Sequence, residues 1–239
     1  MSQYTKLMIE KGDMLMSNNT YTIVFTLIMC TFISFTLAGT SQLLQEKRVL
    51  NREIDMQKNI LNAAGKTFTH SDEIQAAYKK LVSPIFISKK GDIVPAENKD
   101  NGALEIFKVT NNDDSTKIDD YVYRVLGKGL WSKLHGFLAV NSTGQQVIGL
   151  AFFDHGETPG LGAEIEKKWF CDNFVGKKLY KDNKLVGITV AKGKAKNHPT
   201  YKSMSNHIVD GISGATITSK GVEKMLSKDP LKYHNFFNK

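Results

Sequence analysis

The longest apolar run of the chain lies near its amino terminus. Tyr21–Gly39 holds 19 residues without a charge, inside an uncharged stretch from Met14 to Gln45. A helix rises ~1.5 Å per residue, so this run would extend roughly 28 Å, close to the hydrocarbon core of a bilayer. The pattern therefore predicts a transmembrane helix over residues 21–39. A cleaved signal peptide with its cut near Ala38 is the alternative, but the run exceeds the usual apolar region of about 7–15 residues.

A helical pattern continues directly after the apolar run. Leu43, Leu50, Ile54 and Leu61 fall on one stripe at the helical repeat, and charged residues occupy much of the remaining surface. This pattern predicts a stalk helix over residues 40–66, ended by the sequence Ala-Ala-Gly.

Residues 67–239 mix strand and helix patterns, and their core is expected at 104–228. Ser71 is a suitable N-cap for a short amphipathic helix that stops near Pro84. Alternating or apolar runs predict strands at Leu104–Val109, Tyr121–Leu126, Gly136–Val140, Gln146–Phe153 and Leu185–Ala191. Helices are expected at Gly162–Phe174, with Ile165 and Trp169 on one face, and around Val222. The sequence Asn-Ser-Thr-Gly at 141–144 is a hairpin signal. The fold class expected is α+β, with a mostly antiparallel sheet and flanking helices.

The positive charge is concentrated in the last third of the chain. The formal net charge is +8, and residues 160–239 carry all of it, with 15 basic and seven acidic residues. The basic residues are nearly all lysine, without an arginine-rich or aromatic-interleaved run, so nucleic acid is not an expected partner. Anionic lipid, an acidic partner and a bound phosphate stay open as explanations of the charge.

Several kinds of site find no support in the sequence. Cys30 and Cys171 give no disulfide framework and no zinc or iron–sulfur ligand set. The six histidines lack metal-ligand spacing, and no GxGxxG follows a strand, so neither a metal nor a nicotinamide site is predicted. No catalytic acid, base or nucleophile is assigned.

Residues 210–216, with the sequence DGISGAT, are the most informative segment. They resemble the recognition sequence at which a flavin transferase attaches FMN to a threonine. The resemblance implies that Thr216 carries FMN through a phosphoester, with Asp210 as the acidic recognition element and Ser213 as a small polar neighbour. Gly211, Gly214 and Ala215 would let the backbone approach closely. The alternative is an ordinary loop in which the threonine caps a helix.

A helix containing Val222 is expected to follow this segment. Thr218 or Ser219 is predicted as its N-cap, and its free amides would suit a phosphate. Lys220 could add positive charge there.

Residues 154–165, with the sequence DHGETPGLGAEI, resemble the second signature of FMN-binding domains from membrane redox complexes. The resemblance implies a flavin wall formed by Glu157, Thr158, Gly160, Leu161 and Gly162. The alternative is a strand-to-helix connection with a solvated glutamate.

Residues 127–132, with the sequence GKGLWS, also fit the family. Trp131 in this segment is open to two interpretations, buried core or flavin contact.

Over nearly its full length the chain is similar to the NqrC family, which belongs to the bacterial sodium-translocating NADH:quinone reductase. The resemblance implies an electron-relay flavoprotein with one covalent FMN on Thr216, which does not itself bind NADH. It also implies other subunits of the complex, an FAD-dependent FMN transferase and membrane lipid as partners.

The resemblance further implies a single-pass protein of the bacterial inner membrane. Residues 1–20 would be cytoplasmic and the flavin domain periplasmic. Lys47, Arg48 and Arg52 after the apolar run favour the opposite orientation when charge alone is considered.

Three other interpretations stay open from the sequence. The RnfG family, from the ion-translocating ferredoxin:NAD oxidoreductase, shares both motifs. A membrane-anchored adaptor without redox function and a standalone exported flavoprotein are the others.

Overall fold

The structure, a computed structural model, describes residues 3–95, 97, 102–110 and 118–238, with side chains from residue 19 onward except at 118 and 119. The chain divides into two compact units, one up to Arg52 and one from Glu53. The domain limits expected from the sequence stay a prediction.

The first unit is helical. Helix α1 covers Gln3–Leu43, and its part Asn19–Leu43 is long and apolar enough to cross a membrane. The hydroxyls of Thr26, Thr31 and Thr36 each donate to the carbonyl four residues earlier, at 2.8 Å. The polar groups of these threonines are thus satisfied inside the helix, as an apolar environment requires. A turn at Leu44 separates α1 from α2.

The bounds of the remaining elements are as follows. The helices are α2 Gln45–Ala63, α3 Ser71–Leu81, α4 Lys168–Cys171, α5 Tyr201–Met204, α6 Thr216–Lys228 and α7 His234–Phe237. The strands are β1 Val82–Ile87, β2 Ile93–Val94, β3 Leu104–Thr110, β4 Ile118–Lys128, β5 Lys133–Asn141, β6 Val147–Asp154, β7 Tyr180–Lys181, β8 Lys184–Leu185, β9 Thr189–Val190 and β10 Ile208–Val209.

An antiparallel sheet is the centre of the second unit. Within the described ranges it has six strands in the order β2-β1-β3-β4-β5-β6, and every neighbouring pair is antiparallel. Strands β7 and β8 form a small antiparallel pair, and β9 and β10 a parallel one. The predicted α+β class and the mostly antiparallel sheet are confirmed.

Both faces of the sheet are buried, because alternate residues of the central strands enter two different clusters. Tyr123 and Leu138 lie in the cluster that also holds residues of α4 and α6. Val122 and Phe137 lie in the other, with Ile60 near the end of α2. Fully burying such side chains contributes about 1.5–3 kcal/mol each. The carboxyl-terminal elements that carry the motifs are thereby held on one face.

Four details differ from the sequence prediction. Helix α3 begins at Ser71 with His70 as N-cap, so the predicted cap is wrong by one residue. Helix α3 ends at Leu81, near Pro84 as expected, but the chain then continues through Pro84 as strand β1, which the sequence did not predict. Among the described residues, strand β2 pairs only with Phe86 and Ile87, so no described strand lies beside Pro84 on that side of β1, and a proline is tolerated there.

The other two differences concern the elements after the sheet. The helix expected over Gly162–Phe174 is broken into a 3-10 turn, α4 and a second 3-10 turn. Ile165 is fully buried whereas Trp169 is half exposed, so they do not share a buried face. The strand expected over Leu185–Ala191 is interrupted at Gly187, whose φ of +69° is not a strand conformation.

Candidate functional site

Thr216 is the first residue of α6 and is exposed. Ala215 is the N-cap residue and offers no side-chain hydrogen bond to the helix. The turn before the helix is fixed by two residues. Ala215 is buried, and Gly214 has a φ of +76°. The first turn of α6 therefore presents its amides together with the Thr216 hydroxyl, without a capping side chain.

The caps predicted for α6 are wrong, because the helix begins earlier than expected. The Thr218 hydroxyl donates to Glu157, and the Ser219 hydroxyl accepts from the Ile212 amide at 3.4 Å. Lys220 does not add free charge, since its ammonium lies 2.8 Å from the Glu223 carboxylate.

Glu157 is a buried carboxylate that joins three distant segments of the chain. Its Oε1 accepts hydrogen bonds from the amides of Trp131 and Ser132, at 2.9 and 3.1 Å. Its Oε2 accepts from the Leu130 amide at 3.1 Å and from the Thr218 hydroxyl at 2.5 Å. We call this arrangement the Glu157 clamp. It fixes the turn between β4 and β5 against the start of α6.

The hydrogen bonds of the clamp favour the ionised form of Glu157. Burial by itself raises the pKa of the carboxyl group. The hydrogen bond from Thr218 and those from the three backbone amides outweigh burial and hold the pKa below its ordinary value of 4.5. The clamp thus carries a negative charge at neutral pH.

A pocket of about 370 Å³ lies between the two motif segments. It brings together seven of the ten site residues expected from the sequence: Glu157, Thr158, Leu161, Gly162, Gly214, Ala215 and Thr216. Asp210, Ser213 and Gly160 are outside its lining. The volume falls within the range of about 300–1,000 Å³ that is usual for ligand pockets.

The two glycines of the pocket lining are required for different reasons, Gly162 by close packing and Gly214 by its φ of +76°. A Cβ atom at Gly162 would lie 2.8 Å from both Glu157 Oε2 and Thr218 Oγ1. At Gly214 a Cβ would lie 2.8 Å from Leu161 Cδ2. The backbone can therefore line the pocket directly at these two positions.

Asp210 has a different environment from the pocket residues. Its carboxylate lies 2.8 Å from the Lys194 ammonium and accepts from the Ala195 amide at 2.8 Å. Burial raises the pKa of Asp210, but the bonds from Lys194 and Ala195 outweigh it and lower the pKa. A Cβ at Gly211 would overlap the Ala191 carbonyl oxygen, so the loop here requires a glycine. Asp210 thus anchors the loop that leads to Thr216.

Four further residues line the pocket. They are Leu130, Trp131, Ile217 and Thr218. Trp131 is 72% exposed, which excludes the buried-core interpretation left open by the sequence. Leu130 lies in the segment 127–132 and Ile217 directly follows the Thr216 motif, but neither was assigned as a site residue from the sequence.

Comparison with known protein families supports a flavin-binding role for this region. The model of the FMN-binding domain family matches residues 129–228. These residues include both motif segments and every residue that lines the pocket.

Comparison with known sequences identifies one group of relatives. The NqrC protein of the Na(+)-translocating NADH-quinone reductase from Pasteurella multocida is 32% identical over 231 residues, covering 84% of this chain and 85% of that protein. The corresponding protein of Vibrio vulnificus is 44% identical over 118 residues, or 49% of this chain.

Solved structures give the same result for the fold. The crystal structure of the NqrC protein from Parabacteroides distasonis has a TM-score of 0.70 and 28% identity, covering 82% of this chain and 98% of that one. The NqrC structure of Shewanella oneidensis has a TM-score of 0.66 at 27% identity, covering 77% of this chain and 94% of that one.

Proposed function

The chain belongs to the NqrC family of the Na(+)-translocating NADH-quinone reductase, and we propose that it carries one FMN on Thr216 through a phosphoester. In this proposal the chain relays electrons within the complex and does not itself bind NADH. The family membership expected from the sequence is confirmed by these matches.

The main support for the attachment site is the position of Thr216. Thr216 is exposed, lines the pocket and is the first residue of α6, whose N-cap residue Ala215 gives no side-chain hydrogen bond. An exposed hydroxyl can enter the active site of a modifying enzyme. The free amides of the helix start favour a phosphate group nearby.

The attachment step needs FAD and a flavin transferase. Thr216 Oγ forms a bond to the phosphorus of the FMN half, the bond from that phosphorus to the bridging oxygen breaks, and AMP leaves. The hydroxyl proton passes to a base of the transferase, because within the described part of the chain no carboxylate or imidazole is hydrogen-bonded to Thr216.

The residues of the pocket fit a flavin by their chemistry. The Glu157 clamp uses the carboxylate for its own backbone donors, so Glu157 holds the walls of the pocket in place. Leu161, Ile217 and Trp131 supply exposed apolar surface for a flat ring. A bound flavin would supply one- and two-electron redox chemistry, and this chain would set its potential through nearby amides, charge and solvent exclusion.

The proposed location is the bacterial inner membrane. Residues 21–39 would cross it once, with the flavin domain on the periplasmic side, in contact with lipid and the other subunits. The support is the apolar part of α1 and the family membership.

Intact mass and peptide mapping of the chain from its native host test the proposal. We expect the peptide containing Thr216 to carry the mass of one FMN less one water. Coexpression with a flavin transferase should give a yellow protein with in-gel flavin fluorescence, and Thr216→Ala should abolish both while the chain still folds.

Thr158→Ala is the matched control, because Thr158 places a second hydroxyl in the lining of the same pocket. This variant should retain the covalent flavin. Fluorescence that survives Thr216→Ala would contradict the assignment, and its loss with Thr158→Ala in the same experiment would point to Thr158 instead.

A further inference from the structure

A second concavity, of about 590 Å³, lies at the end of β4, beside the pocket at Thr216. Its lining includes Lys128 and Lys133 from β4 and β5, and Lys224 and Lys228 from α6. Trp131 lines both this concavity and the pocket at Thr216. We call the second concavity the lysine groove.

The four groove lysines differ from several other lysines of the same domain. Lys167, Lys168, Lys194, Lys220 and Lys232 each have a carboxylate within 4 Å. Across the described part of the chain, none of the four groove lysines has an ion pair, and all four are exposed.

The lysines also form two like-charge pairs. Lys128 and Lys133 are directly opposite each other in the register of β4 and β5. Lys224 and Lys228 are four residues apart on α6 and therefore neighbours on its surface. Both arrangements are unfavourable in the isolated fold, because like charges repel in cross-strand and i,i+4 positions. An anion from outside the chain would relieve both.

The one acidic residue of the lining does not neutralise the groove. Asp229 is buried, accepts a hydrogen bond from the Leu126 amide and lies 2.7 Å from the ammonium of Lys232. Its charge is matched by Lys232, so the four groove lysines keep their excess positive charge.

The groove also has apolar surface that is open to solvent. Leu126 is 46% exposed and Trp131 is 72% exposed. A Cβ at Gly221 would overlap the Lys128 carbonyl oxygen, so α6 lies directly against β4, and lysines of both elements line the same groove. Exposed aromatic and aliphatic surface inside a charged rim is the composition of a protein–protein interface.

We propose that the lysine groove binds an acidic segment of another subunit of the complex, one that combines Asp or Glu residues with a bulky apolar side chain. A small anion is less suitable, because small-molecule sites orient their ligand with buried polar groups, whereas these ammonium groups are flexible and exposed. A flat lipid surface would not fill a concavity of about 590 Å³. The proposal does not depend on whether Thr216 carries a flavin.

Zero-length crosslinking of the assembled complex tests the proposal. A water-soluble carbodiimide joins amines to carboxylates that are in contact. After peptide mapping we expect isopeptide bonds from Lys128, Lys133, Lys224 or Lys228 to a carboxylate of another subunit. The absence of such bonds, while other subunits are crosslinked to each other, would overturn the proposal. If the groove lysines are protected from an amine-reactive label only when anionic lipid is present, the groove binds lipid and the proposal is overturned.

The double variant Lys128→Glu/Lys224→Glu separates binding from folding. Each substitution places a carboxylate next to a remaining groove lysine, Lys133 or Lys228, so the variant should unfold at the same or a higher temperature. Co-purification of the other subunits should nevertheless fall by about tenfold.

Lys181→Glu/Lys184→Glu is the control, since it changes the charge equally at exposed lysines outside the groove lining. Its co-purification should stay within about twofold of the unsubstituted protein. Equal losses for both variants would show a general charge effect and would refute a docking role of the groove.

Discussion

Replacing Glu157 by glutamine would test the clamp that holds the pocket together. The change keeps the shape of the side chain but removes its charge and replaces one carboxylate oxygen with an NH₂ group. All four hydrogen bonds at this side chain come from donors. Whichever way the amide is oriented, its NH₂ group faces an N–H donor and leaves it without an acceptor.

The size of the effect follows from these contacts. A buried donor left without an acceptor costs about 1–3 kcal/mol, and hydrogen bonds to a neutral oxygen are weaker than those to a charged one. We therefore expect the free energy of unfolding to fall by about 3 kcal/mol. For a domain of this size the melting temperature should drop by about 6–12 °C.

Thermal unfolding of the full chain in detergent, followed by circular dichroism as a function of pH, measures both parts of the prediction. The clamp lowers the pKa of Glu157, so its contribution is complete above the ordinary value of 4.5 and is lost as the pH falls through the lower folded-state pKa. The difference between the unsubstituted chain and Glu157→Gln should shrink over that acidic range.

Glu164→Gln is the control, because Glu164 is only partly buried and accepts a single side-chain bond, from the Trp169 indole. Its free energy of unfolding should change by less than about 0.5 kcal/mol. The clamp does not stabilise the site if Glu157→Gln has the same melting temperature as the control. The same conclusion follows if the difference in melting temperature between Glu157→Gln and the unsubstituted chain does not depend on pH.

Other substitutions test the segments on either side of the pocket. Gly214→Ala and Gly160→Ala should each lower the free energy of unfolding by about 1–2 kcal/mol in chemical denaturation, because both glycines have positive φ. The two losses should be similar, because a methyl group at Gly214 would meet only the end of the exposed Leu161 side chain, which can move away. No loss at either position would refute the backbone argument. Asp210→Asn removes the charge that pairs with Lys194 and should change the free energy of unfolding by about 1 kcal/mol or less. Covalent flavin, measured by in-gel fluorescence, should nevertheless decrease markedly. An unchanged flavin yield would exclude Asp210 as a recognition element.

Local patterns predicted β3, β4, β5 and β6 of the central sheet but not β1 and β2. The hairpin between β5 and β6 was predictable because Asn141 stabilises the turn through its own neighbours: its side-chain oxygen accepts from the amides of Gln145 and Gln146. Gly144 in that turn has a φ of +70°, which favours glycine. Interactions between residues this close in the sequence are visible in the sequence itself.

Interactions between distant segments were not predictable in the same way. Strand β1 was not predicted, because Pro84 was interpreted only as the end of the preceding helix, and the pairing of β1 with β3 joins residues far apart in the sequence. Glu157 could be interpreted as solvated, since its partners at 130–132 and 218 lie 25 to 61 residues away. Thr218 was expected to cap α6 for the same reason. The motifs located the site, but the contacts that build it became visible only in three dimensions.

The clamp also bears on when the chain can mature. The clamp forms only after three parts of the domain have reached their final positions: the β4–β5 hairpin, the glycine-rich loop and α6. These parts supply residues 130–132, Glu157 and Thr218. Thr216 stands two positions before Thr218, so its setting is complete only in a finished domain. A modifying enzyme that recognises this folded arrangement would attach the flavin only after folding. The flavin absorbance of the protein would then measure the fraction of molecules that had folded.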